Sequence, residues 1–139
     1  MDTISPSQIQ SYLTCPRKYA FRYVERLPSP FKAAALAFGS AVHSALEVFH
    51  GKLADGEHPT PDVIAAIFRT DWHAELAGDL RFKEDETPES LGEQGENLVR
   101  LYVSQNQDLS VRAVEWPFEV PLGDMETGEV FDVTLRGIF

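Results

Sequence analysis

The sequence predicts an α+β fold in which an amino-terminal helical region, residues 1–110, is followed by a β-hairpin, residues 111–139. Three observations predict it. Segments opened by a capping residue and a proline, with apolar side chains three and four apart, recur as far as about Asn106. Beyond that point apolar and polar residues alternate, which is the period of a strand. A lone hairpin is marginal in water, so this one is expected to begin a larger sheet or to pack on helices.

The first helix starts at Ser5-Pro6-Ser7-Gln8. The serine caps, the proline occupies the first turn where its missing N–H costs nothing, and Gln8 can close a capping box. This helix is short and gives way at Thr14-Cys15-Pro16, where the second proline opens RKYAFRYVERL, with Tyr19, Tyr23 and Leu27 spaced by four. Pro28-Ser29-Pro30 ends it. From about Ala33 to Ala54 the pattern is a third helix, or a pair joined near Gly39, with Val42, Leu46, Phe49 and Leu53 on one stripe expected to be buried. His43, Glu47 and His50 fall on another stripe, at the boundary of core and solvent.

Thr60-Pro61-Asp62 repeats the cap-proline-acid opening before VIAAIFRTDWHAEL, whose Ile64, Ile67, Phe68, Trp72 and Leu76 form an amphipathic face that stops at Gly78. Asp79 to Glu86 reads as a charged linker. Thr87-Pro88-Glu89 opens the last helix, with Leu91, Leu98, Leu101 and Tyr102 expected to face inward and Gly95 a weak point. In the hairpin, Val114, Trp116, Phe118 and Val120 alternate with Glu115, Pro117 and Glu119, and Phe131, Val133 and Leu135 with Asp132, Thr134 and Arg136. The loop between them, PLGDMETGE, is rich in turn formers, and Pro117 predicts that the first strand has an unpaired edge. The last residues, Arg136-Gly137-Ile138-Phe139, lie within an apolar pattern with no closing turn, so the chain is expected to be truncated, the amino-terminal part of a longer protein.

Composition narrows the function classes. A chain of 139 residues is one domain or part of one, large enough to bury a core, and its 43% hydrophobic content is too high for disorder. One cysteine cannot make an internal disulfide. Neither a membrane-spanning run nor a basic region followed by an apolar stretch occurs at the start, so a cytoplasmic location is expected. The net charge of −10 argues against a general nucleic-acid binder, yet the first 50 residues carry five bases against three acids. Four of those bases, Arg17, Lys18, Arg22 and Arg26, fall within ten residues, a local strip that a polyanion would meet before the average charge. A solvated helix face has the same pattern.

SPSQIQSYLTCPRKYAFRYVERLP resembles the opening of the RecB-type branch of the PD-(D/E)xK nuclease superfamily, which includes the nuclease domains of RecB and AddB and the CRISPR-associated RecB-like exonucleases. The match centres on Cys15-Pro16-Arg17-Lys18-Tyr19. A second stretch, Phe38-Gly39-Ser40-Ala41-Val42-His43-Ser44-Ala45-Leu46-Glu47, resembles that family's G-x-x-x-H-x-x-L-E helix. The end, Thr127-Gly128-Glu129 and then Leu135-Arg136-Gly137-Ile138-Phe139, is similar to the strands leading into a G-I-x-D motif. The resemblance implies a hairpin that begins the mixed sheet of a restriction-endonuclease-like core, DNA as substrate, and a role in repair, recombination or defence beside a helicase or other partner.

The resemblance also implies roles for single residues. His43 becomes a ligand of a catalytic Mg²⁺ or Mn²⁺, which in such sites activates water and stabilises charge on the scissile phosphate. The aspartate expected after Phe139 and the later acid-x-lysine strand are not among these residues, so the chain is expected to be inactive alone. Cys15 becomes one thiolate of a [4Fe-4S] cluster in the intact parent, and Arg17, Lys18 and Arg22 contact DNA phosphates.

Read without the resemblance, the same residues are bland. A lone histidine beside an apolar face is more often packed or exposed than a ligand, and Cys15 is most simply a small buried side chain at a helix junction. His43, Glu47 and His50 do not follow the zinc-protease order, while His58 and His73 read as surface residues. Glu115 and Glu119 read as exposed hairpin carboxylates, the functional alternative being acids that support the metal ligands from behind, and Asp124, Glu126 and Glu129 as turn residues. A noncatalytic, nuclease-like interaction or scaffold module is the competing function.

Overall fold

A computed structural model describes residues 2–138, so Phe139, the last residue of the expected G-I motif, lies outside the described residues. Two compact units share the chain: Met1–Ser29 together with Glu115–Phe139, and the continuous stretch Pro30–Val114. The first joins the amino-terminal residues to the hairpin, because the chain opens with a strand that the sequence did not advertise.

That strand, β1 (Asp2–Ile4), runs parallel to β5 (Val130–Ile138), pairing Thr3 with Thr134. The hairpin partner β4 (Pro117–Gly123) lies antiparallel on the other side of β5, giving a mixed sheet of order β1-β5-β4. Pro117 therefore stands on an edge strand, as its missing donor requires. The tip is closed by Asp124, whose carboxylate accepts from the N–H groups of Glu126 (2.7 Å) and Thr127 (3.1 Å), and by Gly128 at φ 75°. These bonds favour the charged form and hold the Asp124 carboxyl below its usual range. Among the described residues of this unit only Thr134 is buried.

α1 (Pro6–Thr14) carries the expected capping box: Ser5 Oγ accepts from Gln8 N–H at 3.2 Å and Gln8 Oε1 from Ser5 N–H at 2.7 Å. The expected single helix after Pro16 is instead a turn of α-helix, α2 (Pro16–Tyr19), that widens into a π-helical turn over Ala20–Val24. It closes with Glu25 N–H on Ala20 C=O at 2.8 Å, and Arg26 follows at φ 52°.

The second unit is a three-helix core. α3 (Ala34–Ala54) is one helix that runs unbroken through Gly39, not a pair joined there, and an added Cβ at Gly39 would meet nothing within 4 Å. Its buried stripe is Ala34, Ala37, Ala41 and Ala45, continued by Phe49 and Leu53. Val42 and Leu46, expected in the core, are only half-buried. Small side chains bring the facing helices close, so the contact line follows the alanines rather than the largest apolar residues. α4 (Pro61–Leu76) buries Ile64, Ala65, Phe68 and Trp72, and α5 (Pro88–Gln105) buries Leu91, Gly95, Val99 and Val103.

Gly95 is the contact point of those two helices: a Cβ there would collide with the tip of the Phe68 ring. Trp72 donates its indole N–H to Pro88 C=O at 3.0 Å, which seats the start of α5 on α4. Leu98 and Leu101, expected inward, are exposed. Where a linker was expected, β3 (Leu80–Arg81) pairs in parallel with β2 (Lys32–Ala33), and the Arg81 guanidinium sits 3.8 Å from the centre of the Phe31 ring.

Candidate metal centre

α3 turns one edge to the core and another to solvent. The alanine stripe fixes its rotation, and His43 and Glu47, one turn apart, emerge exposed. A ring nitrogen of His43 and a carboxylate oxygen of Glu47 lie within 4.8 Å of each other. An imidazole with a carboxylate suits a borderline or hard divalent ion such as Mn²⁺, and an ion taking six or more donors needs further oxygens from protein, water or substrate. The donor chemistry therefore fits the implied metal. The i, i+4 spacing of Glu47 from His43 was visible in the sequence, although only His43 stood out as a ligand.

His50 leaves that edge. It is half-buried, its Nε2 lies 3.0 Å from the Tyr102 hydroxyl on α5, and burial lowers its pKa from the ordinary 6.5. It is a packing residue of the helical unit. Phe49, His50 and Tyr102 form a mutual ring cluster with centroids 5.4 to 6.1 Å apart, and nothing in the sequence pattern pairs positions so far apart in the chain.

The remaining candidates other than His58 and His73 lie in the other unit. Arg17, Lys18 and Arg22 are all exposed along α2 and the π-turn. Cys15 is also exposed, which corrects its reading as a small buried side chain. Its backbone does the structural work: its N–H bonds Ser11 C=O, ending α1, and its C=O accepts from Tyr19 N–H at 3.0 Å, starting α2. That extended cap leaves the thiol outside both helices. Glu115 is half-buried at φ 53°, just ahead of β4, while Glu119 pairs with Arg136 at 3.2 Å. His58 and His73 are exposed, as expected.

The family model of the PD-(D/E)XK nuclease superfamily matches residues 3–139. The chain belongs to the PD-(D/E)XK nuclease superfamily. Members of this superfamily are generally nucleases that use divalent metals and bind nucleic acid. Neither a curated protein nor a solved structure matches the chain. No helix among the described residues is long and apolar enough to cross a membrane.

Proposed function

We propose that this chain is the amino-terminal part of a RecB-type, divalent-metal-dependent DNA exonuclease of the cytoplasm, acting in repair, recombination or defence with a helicase or similar partner. The observation that carries this reading is the exposed His43–Glu47 pair, its donor atoms within 4.8 Å, on the helix that bears the G-x-x-x-H-x-x-L-E stretch. His43 and Glu47 would hold Mg²⁺ or Mn²⁺, which supplies activation of water and screening of phosphate charge. Because both side chains sit on one rigid helix, their spacing is set before any ion arrives. Arg17, Lys18 and Arg22 draw DNA phosphates by charge, a sequence-independent attraction that weakens with salt. Cys15, being exposed, is free to serve as one of the four thiolates of a [4Fe-4S] cluster.

The 139 residues are expected to be inactive alone, because the acid-x-lysine pair of the family pattern is not among them. The test is a manganese-dependent nuclease assay on the product of the longer reading frame, beside its His43→Ala variant and the present chain. Activity in the long protein, lost by about 100-fold or more in His43→Ala, supports the reading. Equal activity with and without His43 removes it from the metal site. A long protein without activity favours the scaffold function.

A further inference from the structure

The exposed cations on α2 and the π-turn are interleaved with aromatic rings. Phe21 is 39% exposed and the Arg17 guanidinium lies 5.3 Å from its ring centre. Arg22 stands at the same distance from Tyr23, which contacts Tyr19 at 5.1 Å, and Tyr19 and Tyr12 pack at right angles with centroids 5.5 Å apart. Tyr12 in turn is 54% exposed. Between Pro16 and Leu27 only Glu25 opposes the four cations Arg17, Lys18, Arg22 and Arg26. The backbone beneath them is unusual twice over, in the π-helical turn and in the positive φ of Arg26. Both features cost energy and recur where a surface has a task beyond packing.

We propose that this face is a stacking platform for single-stranded nucleic acid, with Phe21 and Tyr12 receiving bases and the four cations following the phosphates. The inference takes its ligand class from the nuclease reading but does not depend on the metal centre. Charge alone does not favour the single strand, since both forms carry phosphates and the duplex carries them more densely. Exposed rings add something only when base faces are free, because in a duplex those faces are already stacked on one another. A guanidinium lying on a ring extends the flat surface, as Arg planes also stack with bases.

Fluorescence anisotropy on the whole chain, in EDTA, with a labelled oligothymidylate and a duplex of equal length tests this. The single strand should bind about tenfold or more tightly than the duplex, and Phe21→Ala should weaken the single strand by roughly 5- to 100-fold while leaving the duplex unchanged. Phe21→Trp should restore the single strand and show quenched emission. Arg17→Ala with Arg22→Ala should weaken both probes and flatten the salt dependence. Tyr12→Ala gives an independent arm if circular dichroism shows that Phe21→Ala has lost its fold. Equal affinity for the two probes, or no effect of either ring on the single strand, overturns the platform. Since no metal is present, a failed His43 test leaves this result standing, and a failed platform leaves the nuclease reading standing.

Discussion

The two units differ in what they hide. Every buried apolar residue among those described lies between Ala34 and Val103, in the helical unit. Among its described residues the sheet unit buries only Thr134, while Val120, Val130, Phe131 and Ile138 remain exposed on its strands. Three helices meeting along alanines and Gly95 can close on themselves, whereas a three-stranded sheet has two faces to cover and short helices to do it. The contrast matters for the chemistry. His43 and Glu47 project from the closed unit, where packing fixes their helix, while the cationic and aromatic face belongs to the open one.

Truncating one phenylalanine in each unit sharpens this contrast most. Phe68 is fully buried, so Phe68→Ala should cost about 3–5 kcal/mol of unfolding free energy. Phe131 is 44% exposed on β5, and Phe131→Ala should cost no more than about 1 kcal/mol. Urea melts followed by circular dichroism measure both. Equal losses would mean that the sheet unit holds a core of its own, and the contrast would fail.

Glycine substitutions give a smaller effect with two signs inside the closed unit. A Cβ at Gly95 collides with the tip of the Phe68 ring, so Gly95→Ala should destabilise by about 2 kcal/mol even after alanine's better helix propensity is counted. A Cβ at Gly39 meets nothing, so Gly39→Ala should stabilise by roughly 0.5–1 kcal/mol. If Gly95→Ala proves neutral, α4 and α5 do not meet where Phe68 and Gly95 do.

The same contrast decides what could be read from sequence. Caps are local, so Ser5, Thr60 and Thr87 marked their helix starts correctly, each accepting from a backbone N–H three residues on. Alternation is local too, and the hairpin appeared, although its first strand begins at Pro117 rather than Val114. What failed was non-local. Three residues, Asp2–Ile4, become a strand only because β5 lies beside them, and such a stretch has no period to detect. Gly95 looked like a weakness because propensity ignores the ring that fills its space. The burial of α3 was half read: Phe49 and Leu53 are buried as expected, but Val42 and Leu46 were weighted above Ala41 and Ala45, which take the core positions instead. At the site, one helix was enough to bring His43 and Glu47 together. The separation of His50 from them depends on Tyr102, which lies 52 residues on.

His50 and His43, seven residues apart on α3, carry the contrast between buried and exposed into a pH measurement. Burial disfavours the charged imidazole of His50, so its folded pKa lies below the ordinary 6.5 and the unfolded chain takes up a proton first as pH falls. The stability it contributes is therefore complete above about pH 6.5 and declines as pH drops towards the folded value. His50→Gln keeps a hydrogen-bonding group for the Tyr102 hydroxyl but does not titrate. Between about pH 7.5 and about pH 5.5 the melting temperature of the wild type should fall further than that of His50→Gln, and the difference isolates one group from the carboxylates and histidines common to both. Parallel curves would show that His50 is as solvated in the folded chain as in the unfolded one, and that the hydrogen bond to Tyr102 does not shield it. Either result bears on α3 itself, because the rotation that buries His50 against Tyr102 is the rotation that leaves His43 and Glu47 exposed.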